Sequence, residues 1–187
     1  MVQAPTQPLT LAAFLQLPET KPASEYINGE IIQKPIPQGK HSIVQRELSF
    51  ALTTAFRADN VAQAFPELRC TFAGRSIVPD IAMFRTQRIP READGTVANS
   101  FNLHPDWTIE ILSPNQNQTK VIRNILHCLS GGATMGWLLD PEEVCVFVYG
   151  ADRAVQVFEE AADVLPVPEF AKMVRLTVGE ILAWLKQ

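Results

Sequence analysis

The longest helical pattern in the first half of the chain lies at residues 42 to 57. Its apolar positions recur three or four residues apart, as on one face of an α-helix, and are Val44, Leu48, Ala51, Leu52, Ala55 and Phe56. Ser42 and Gln45 have the spacing of a capping box, in which two side chains satisfy free N–H groups of the first helical turn. The pattern predicts a helix that begins at Ser42 and packs one face on a core.

A second helical pattern lies at residues 118 to 129, where the apolar positions are Val121, Ile122, Ile125, Leu126 and Leu129. Gly131 and Gly132 follow it, and glycine commonly ends a helix because it adopts the left-handed conformation there. Two shorter helices are predicted near the ends of the chain, at residues 10–17 and 176–185.

Short apolar runs between turn residues predict the strands of a sheet. Asn28-Gly29 lies at the centre of a predicted hairpin over residues 25–35, since both residues tolerate the positive φ angles of a type I′ turn. Residues 85–105 show no period and predict a long loop. Further strands are predicted at residues 61–65, 69–72, 77–84, 107–112, 135–139, 144–149 and 154–158.

This mixture of strands and helices predicts an α/β fold, with a mixed central sheet flanked by helices and antiparallel strands toward the C-terminus. We expect the helix at 42–57 on one side of the sheet and the helix at 118–129 near the site described below. No internal repeat or Gly/Ser-rich linker interrupts the 187 residues. A single domain over residues 10–187 is therefore expected, after a flexible lead-in at 1–9.

The composition excludes several classes of protein. A hydrophobic content of 47% is typical of a globular domain and too high for a disordered chain. No run of about 18 apolar residues and no basic flank before an apolar N-terminal core is present, so we expect neither a membrane span nor a secretory signal. Cys70, Cys128 and Cys145 are scattered and lie outside metal-binding spacings, which favours reduced thiols in a cytoplasmic protein.

The charge is unevenly distributed along the chain. A formal net charge of −4 argues against bulk attraction to nucleic acid. Residues 69–91, however, contain five arginines and a single acid, Asp80. A basic stretch of this kind could meet phosphates. It is also typical of a solvated protein face, and both interpretations stay open.

Two carboxylates lie in strands that are otherwise apolar. Asp80 follows Pro79 in the run 77–84, and Glu110 lies in the run 107–112. A carboxylate in such a strand is paired with a base, exposed at the strand end or bound to a cation, because an unpaired buried charge is strongly unfavourable. Two of them on neighbouring strands repel unless a cation lies between them, and Mg²⁺ prefers such hard oxygen ligands. Structural and metal-binding interpretations both stay open.

The order of the motifs resembles a widespread bacterial family of predicted nucleases with the restriction-endonuclease-like PD-(D/E)XK fold. The residues that carry the resemblance are Pro79-Asp80, Glu110 to Pro114, the run Gly-Trp-Leu-Leu-Asp-Pro at 136–141, Tyr26 to Glu30, and His41. It covers residues 10 to 185. Each motif is common by itself, whereas their order and their strand and helix context are more specific.

The resemblance implies metal-dependent hydrolysis of phosphodiester bonds, with DNA as the substrate. It implies that Asp80, Glu110 and the main-chain carbonyl of Ile111 bind Mg²⁺, with Mn²⁺ as an alternative. A bound metal ion lowers the pKa of a water molecule and neutralises charge that builds on the phosphate. A lysine near that water orients it or assists its deprotonation.

The chain departs from the family pattern at this lysine. The basic motif places the lysine two residues after Glu110, where Leu112 stands. The family commonly supplies it from the following helix instead, at a position that corresponds to Asn124. Lys120 lies four residues earlier and shares a helix face with Asn124, so we predict Lys120 as the catalytic lysine. Alternatively, both residues belong to the solvated side of an amphipathic helix.

Three further residues are auxiliary candidates for the same site. Gln118 begins the predicted helix and could point at the metal, although a first-turn residue is commonly solvent-facing. Glu30 could add a carboxylate, and His41 precedes the predicted helix cap. Both are also ordinary residues for a protein surface.

Three functional hypotheses follow from these residues. The first is a Mg²⁺-dependent endonuclease that acts on DNA through Asp80, Glu110 and Lys120. The second is a catalytically degenerate module of the same fold that binds nucleic acid or a protein, as Leu112 and Asn124 suggest. The third is a homo-oligomeric scaffold, in which the apolar C-terminal strands form a homodimer contact.

Overall fold

The structure, a computed structural model, describes residues 9–186. The predicted lead-in at 1–9 therefore lies outside the described residues, except for Leu9. None of the helices within these residues is long and apolar enough to cross a membrane. In chain order the elements are α1 (Leu11–Phe14), β1 (Ser24–Ile27), β2 (Glu30–Gln33), α2 (Gly39–Phe56), β3 (Ala62–Pro66), β4 (Cys70–Phe72), β5 (Arg75–Ile77), β6 (Ile81–Arg85), β7 (Trp107–Ile111), α3 (Gln118–Gly131), β8 (Met135–Asp140), β9 (Cys145–Gly150), β10 (Val155–Phe158) and α4 (Val178–Trp184), with 3₁₀ turns at Thr86–Arg88 and Glu169–Ala171.

The strands form two sheets. The larger one has six strands in the order β10-β9-β8-β7-β6-β3 and is mixed, because β7 and β8 are parallel while its other pairs are antiparallel. Helix α3 makes the crossover that a parallel pair requires. The smaller sheet is antiparallel, in the order β2-β1-β5-β4. The predicted α/β fold with a mixed central sheet is confirmed, and the second sheet is an addition to it.

The two faces of the large sheet are covered differently. Alternate residues of a strand point to opposite faces, so Trp107, Ile109 and Ile111 of β7 join a core with the apolar faces of α2 and α4. The other face packs on α3 and on the small sheet, through residues such as Leu138 and Ile77. Glu110 of β7 belongs to this second face. The small sheet and α3 therefore surround the one carboxylate that β7 carries.

The start of α2 corrects the capping prediction. The helix begins at Gly39, with Gln38 in an extended conformation at the N-cap and without a side-chain cap. Ser42 lies inside the first turn, and its main-chain N–H donates to the Gln38 carbonyl at 2.9 Å. The predicted capping box between Ser42 and Gln45 is thus wrong. Gln45 donates instead to the main-chain oxygen of Asp80 at 2.9 Å, and the earlier start brings His41 onto the helix, where it is buried.

The predicted strand at 77–84 is also wrong as a single element, because it is two strands. Strand β5 ends at Ile77 in the small sheet, and β6 begins at Ile81 in the large sheet. The chain crosses between the sheets at 78–80. Pro79 has no main-chain N–H and therefore cannot donate a hydrogen bond to a neighbouring strand. The chain changes sheets at a position where this hydrogen bond could not form. Asp80 therefore lies at the junction of the two sheets.

The close contact between α3 and β8 depends on a glycine. A Cβ atom at Gly136 would lie 2.3 Å from Cγ2 of Ile125, a buried core atom. We expect Gly136→Ala to lower the free energy of unfolding by about 1–3 kcal/mol, the usual effect of overpacking a core, as measured by urea denaturation. Gly39→Ala is the matched control, because a Cβ there meets nothing within 4 Å. Equal stability of the two variants would contradict this packing argument.

Candidate active site

Asp80 and Glu110 lie opposite each other on adjacent strands. In the antiparallel pair β6–β7, Ile81 faces Ile109. The same register, extended by one residue, places Asp80 opposite Glu110. Each side chain is 4% exposed. The structure therefore brings the two predicted carboxylates together inside the protein, where the small sheet meets the large one.

The carboxylate of Asp80 is fixed by three contacts. Its Oδ2 accepts a hydrogen bond from the main-chain N–H of Ile111 at 2.7 Å, and His41 Nε2 lies 3.2 Å from the same oxygen. Its Oδ1 lies 2.6 Å from Nζ of Lys34. His41, an auxiliary candidate from the sequence, is thus in contact with Asp80. Oδ2 thus contacts the main chain and His41, whereas Oδ1 contacts a cation, the Lys34 ammonium.

Lys34 is a member of the cluster that the sequence analysis did not identify. It follows β2, and its Nζ donates to the main-chain oxygen of Val78 at 2.7 Å as well as to Asp80. The same atom lies 3.6 Å from Glu110 Oε2. The side chain is 15% exposed. No local pattern around Lys34 indicates this role, because its partners are 44 or more residues away in the sequence.

Glu25 is a third buried carboxylate that sequence reasoning missed. Its Oε1 accepts from the main-chain N–H of Val78 at 2.8 Å, and its Oε2 accepts from the Asn124 side chain at 3.0 Å. Asn124, at the position where the family commonly has lysine, is therefore buried and paired with Glu25 rather than solvated. No local sequence pattern indicates this role, because the partners of Glu25 lie 53 and 99 residues away in the sequence.

The cluster contains three buried carboxylates and one lysine, and the pKa values reflect this imbalance. Burial opposes ionisation of Asp80, but Lys34 and His41 outweigh it and lower the pKa of Asp80 below its usual range. Burial would lower the pKa of Lys34, yet the nearby carboxylates raise it. Burial raises the pKa of Glu25, and it raises the pKa of Glu110 well above the ordinary value, with Asp80 and Glu25 adding to that effect. One ammonium thus compensates for one carboxylate, that of Asp80.

Two clefts reach the cluster. One has a volume of about 440 Å³ and is lined in part by Asp80 and His41. The other has a volume of about 270 Å³ and is lined in part by Glu110 and Lys120. Lys34 lines both clefts. Lys34 therefore borders both the cleft that contains Asp80 and the cleft that contains Glu110.

The other predicted site residues lie further out. Lys120 is exposed in the first turn of α3, and within the described residues no ion pair joins it to a carboxylate. Gln118 and Glu30 line neither of the two clefts, and Glu30 is exposed at the turn end of β2. Leu112 is 9% exposed and belongs to the core on the α3 face. The roles of Lys120, Gln118 and Glu30 stay predictions.

The donor set at Asp80 and Glu110 fits a hard divalent cation. Both carboxylates offer the oxygen atoms that Mg²⁺ prefers, and Oε1 of Glu110 is buried without a hydrogen-bond partner. Across residues 9–186, no group of three or more His, Cys, Asp or Glu side chains has the geometry of a metal site. The candidate metal ligands are therefore two carboxylate side chains and one main-chain carbonyl. These are the ligands that the family resemblance implies, with the Ile111 carbonyl as the third.

Most of the predicted basic stretch is used within the protein. Arg85 and Arg88 both contact Asp106, at 2.8 and 2.9 Å, and Asp106 is almost fully buried. Arg69 contacts Glu19 at 2.7 Å. Three of the five arginines thus have carboxylate partners. Most of the positive charge of this stretch is therefore paired within the protein.

Paired carboxylates on adjacent strands of a mixed sheet, beside a crossover helix, define the restriction-endonuclease-like class. Residues 11–179 match the Uma2 family, which is described as "Putative restriction endonuclease", and the chain belongs to this family. It is similar to a crystal structure described as "a putative nuclease belonging to DUF820" from Anabaena variabilis ATCC 29413. The two are 54% identical, with a TM-score of 0.94 over 95% of this chain and 99% of that chain. No curated protein matches the chain. The family resemblance and the fold predicted from the sequence are confirmed.

The raised pKa of Glu110 predicts a pH-dependent stability. The unfolded chain loses the Glu110 proton near pH 4.5, the ordinary value, while the folded protein keeps it to higher pH. The free energy of unfolding therefore falls as pH rises above 4.5, by at most about 1.4 kcal/mol per pH unit. Asp80 does not obscure this, because its lowered pKa acts below its ordinary value of 3.8.

Glu110→Gln isolates the effect, since glutamine does not titrate. Urea denaturation between about pH 5 and pH 8 should show wild type losing stability relative to this variant as pH rises. Parallel pH profiles for the two proteins would contradict the assignment of a proton to buried Glu110.

Proposed function

We propose that this protein is a Mg²⁺-dependent endonuclease that hydrolyses phosphodiester bonds in DNA. The observation that carries the proposal is the buried pair of Asp80 and Glu110, opposed on β6 and β7 beside two clefts, in a chain of this family. Asp80, Glu110 and the main-chain carbonyl of Ile111 would hold the metal ion, with Mn²⁺ as an alternative. When bound, such an ion activates water and neutralises charge on the phosphate.

The residues around the pair have separate tasks in this proposal. The N–H of Ile111 holds Oδ2 of Asp80 in place, and His41 supports the same oxygen. The other oxygen, Oδ1, contacts Nζ of Lys34, which also lies 3.6 Å from Glu110 Oε2. A buried, hydrogen-bonded carboxylate such as that of Asp80 is preorganised, so little rearrangement of this ligand accompanies the reaction.

A lysine in the cleft would orient the attacking water or accept its proton. Lys120, the predicted residue, lines the cleft that contains Glu110. Lys34 lies closer, within 3.6 Å of both carboxylates. Either side chain could serve, and single methionine variants at the two positions distinguish them by the loss of cleavage.

The nuclease proposal is tested by nicking of supercoiled plasmid in Mg²⁺. Asp80→Asn and Glu110→Gln keep the size of each side chain and remove its charge. Each should lower the cleavage rate by about 100-fold or more, because it removes several kcal/mol of charge stabilisation by the metal ion. A loss of about 1.4 kcal/mol corresponds to a tenfold lower rate. Glu142→Gln, a change at an exposed residue of the β8–β9 turn, should cleave as wild type does.

All four proteins are purified in parallel, and circular dichroism verifies that each is folded. Wild-type cleavage by Asp80→Asn or Glu110→Gln would contradict the proposal. Cleavage of RNA but not of plasmid under the same conditions would retain the site and reject DNA as the substrate.

The alternative function is a binding module of the same fold without catalysis. Leu112 is buried in the core and Asn124 is bonded to Glu25, so neither position of the motif supplies a lysine. The module would bind nucleic acid or a protein without turnover, and the binding would be sensitive to salt. Because Arg85 and Arg88 are engaged with Asp106, such binding would rely on other basic residues.

The homodimer stays a prediction, as does a cytoplasmic location. Strand β10 forms an edge of the six-stranded sheet, and its Val155 and Val157 are 52% and 47% exposed. An exposed apolar edge of this kind can pair with a second copy of the chain. Sedimentation velocity should show a dimer that Val157→Lys converts to a monomer. A wild-type monomer at all concentrations would reject the dimer.

A further inference from the structure

The ammonium group of Lys34 is surrounded like a bound cation. Its Nζ contacts Oδ1 of Asp80 at 2.6 Å and the carbonyl oxygen of Val78 at 2.7 Å, and it lies 3.6 Å from Oε2 of Glu110. These atoms are all hard oxygen donors, and two of them belong to the carboxylates proposed to hold the metal ion. The side chain is largely buried, so this arrangement is unlike that of a solvated surface lysine.

We propose that Lys34 is a built-in occupant of the metal position, and that a divalent cation binds between Asp80 and Glu110 only by displacing the Lys34 ammonium. Two observations support this competition. Oδ2 of Asp80 is already engaged by Ile111 and His41, so a metal ion and Lys34 require the same Oδ1. Two cations that share one buried oxygen also repel each other strongly, because screening by water is weak there.

The placement of Lys34 allows its displacement. It directly follows β2, an edge strand of the small sheet, and the residues 35–40 after it are exposed. Its side chain lines both clefts. Movement of this side chain into a cleft would therefore free Oδ1 of Asp80 for a metal ion.

This inference deepens the proposed function and rests on its metal site. It adds that the Lys34 ammonium occupies the cation position in the metal-free protein, and that this competition reduces the affinity for the metal. When a ligand must displace a bound group, its apparent Kd rises in inverse proportion to the fraction of molecules in which the site is free.

The experiment measures Mn²⁺ binding to the full chain by isothermal titration calorimetry. Lys34→Met keeps the length of the stem and removes the charge, and we expect it to bind Mn²⁺ at least about tenfold more tightly than wild type. Lys34→Arg keeps the charge and should bind no more tightly than wild type. Lys40→Met removes an exposed positive charge next to His41 in the sequence, so it measures the general electrostatic effect and should change the affinity less than threefold.

Thermal unfolding provides a second readout that does not depend on cleavage. Without metal, Lys34→Met leaves Asp80 buried and uncompensated, so its melting temperature should fall below that of wild type. Saturating Mn²⁺ should raise the melting temperature of Lys34→Met by more than that of wild type. Should Lys34→Met fold only in Mn²⁺, that dependence would itself support the proposal, and Lys34→Gln then replaces it in the titration.

The outcomes separate this inference from the proposed function. Equal Mn²⁺ affinity of wild type and Lys34→Met would overturn the displacement and leave the metal site intact. Absence of binding in both proteins would overturn the displacement and the metal site together. Tighter Mn²⁺ binding by Lys34→Met, together with a wild-type protein that does not nick plasmid, would support the displacement and reject the nuclease.

Discussion

The ion pair between Lys34 and Asp80 is the interaction on which the site depends. A lone carboxylate in a protein interior is strongly unfavourable, and breaking a buried pair by removing one partner is among the more destabilising changes known. Here Asp80, Glu110 and Glu25 are all buried within one cluster. Lys34 balances the charge of Asp80, and the other two carboxylates remain compensated mainly by hydrogen bonds and by protons. A divalent cation would carry the charge to balance both Asp80 and Glu110, which is the physical reason to regard the cluster as a metal site.

The fold creates this cluster by letting the chain pass from one sheet to the other at residues 78–80. Strands β5 and β6 are nearly continuous in sequence but belong to different sheets. The crossing exposes the N–H and carbonyl of Val78, which bond to Glu25 and Lys34. The small sheet, which the sequence patterns did not predict, thereby supplies two of the ionisable groups, while the large sheet supplies Asp80 and Glu110. The site is a property of the junction and not of either sheet alone.

The sequence predicted those features that depend on residues close together in the chain. The stripes on α2 and α3, the Asn28-Gly29 turn and the carboxylates Asp80 and Glu110 in apolar strands all rely on neighbours close in sequence, and these predictions describe what the structure contains. The start of α2 was misplaced because Ser42 and Gln45 have cap spacing, whereas Gln45 bonds to the distant Asp80. Lys34 and Glu25 were missed because their partners lie far along the chain. Patterns of apolar and polar residues within one helix or strand cannot indicate such distant contacts. The sequence motif pointed to Lys120 in the following helix, whereas the tertiary structure places Lys34, which follows β2, beside the two carboxylates.

The central claim is that the space between Asp80 and Glu110 is a cation position, filled by Lys34 in the metal-free protein. Anomalous scattering from crystals grown with and without Mn²⁺ tests it most directly. With Mn²⁺, the account predicts an anomalous peak between the two carboxylates and an Nζ atom of Lys34 that has moved away from Asp80. Without Mn²⁺, Nζ should stay within hydrogen-bond distance of Asp80 Oδ1. Lys34 unmoved at saturating Mn²⁺, with no peak between the carboxylates, would contradict the account.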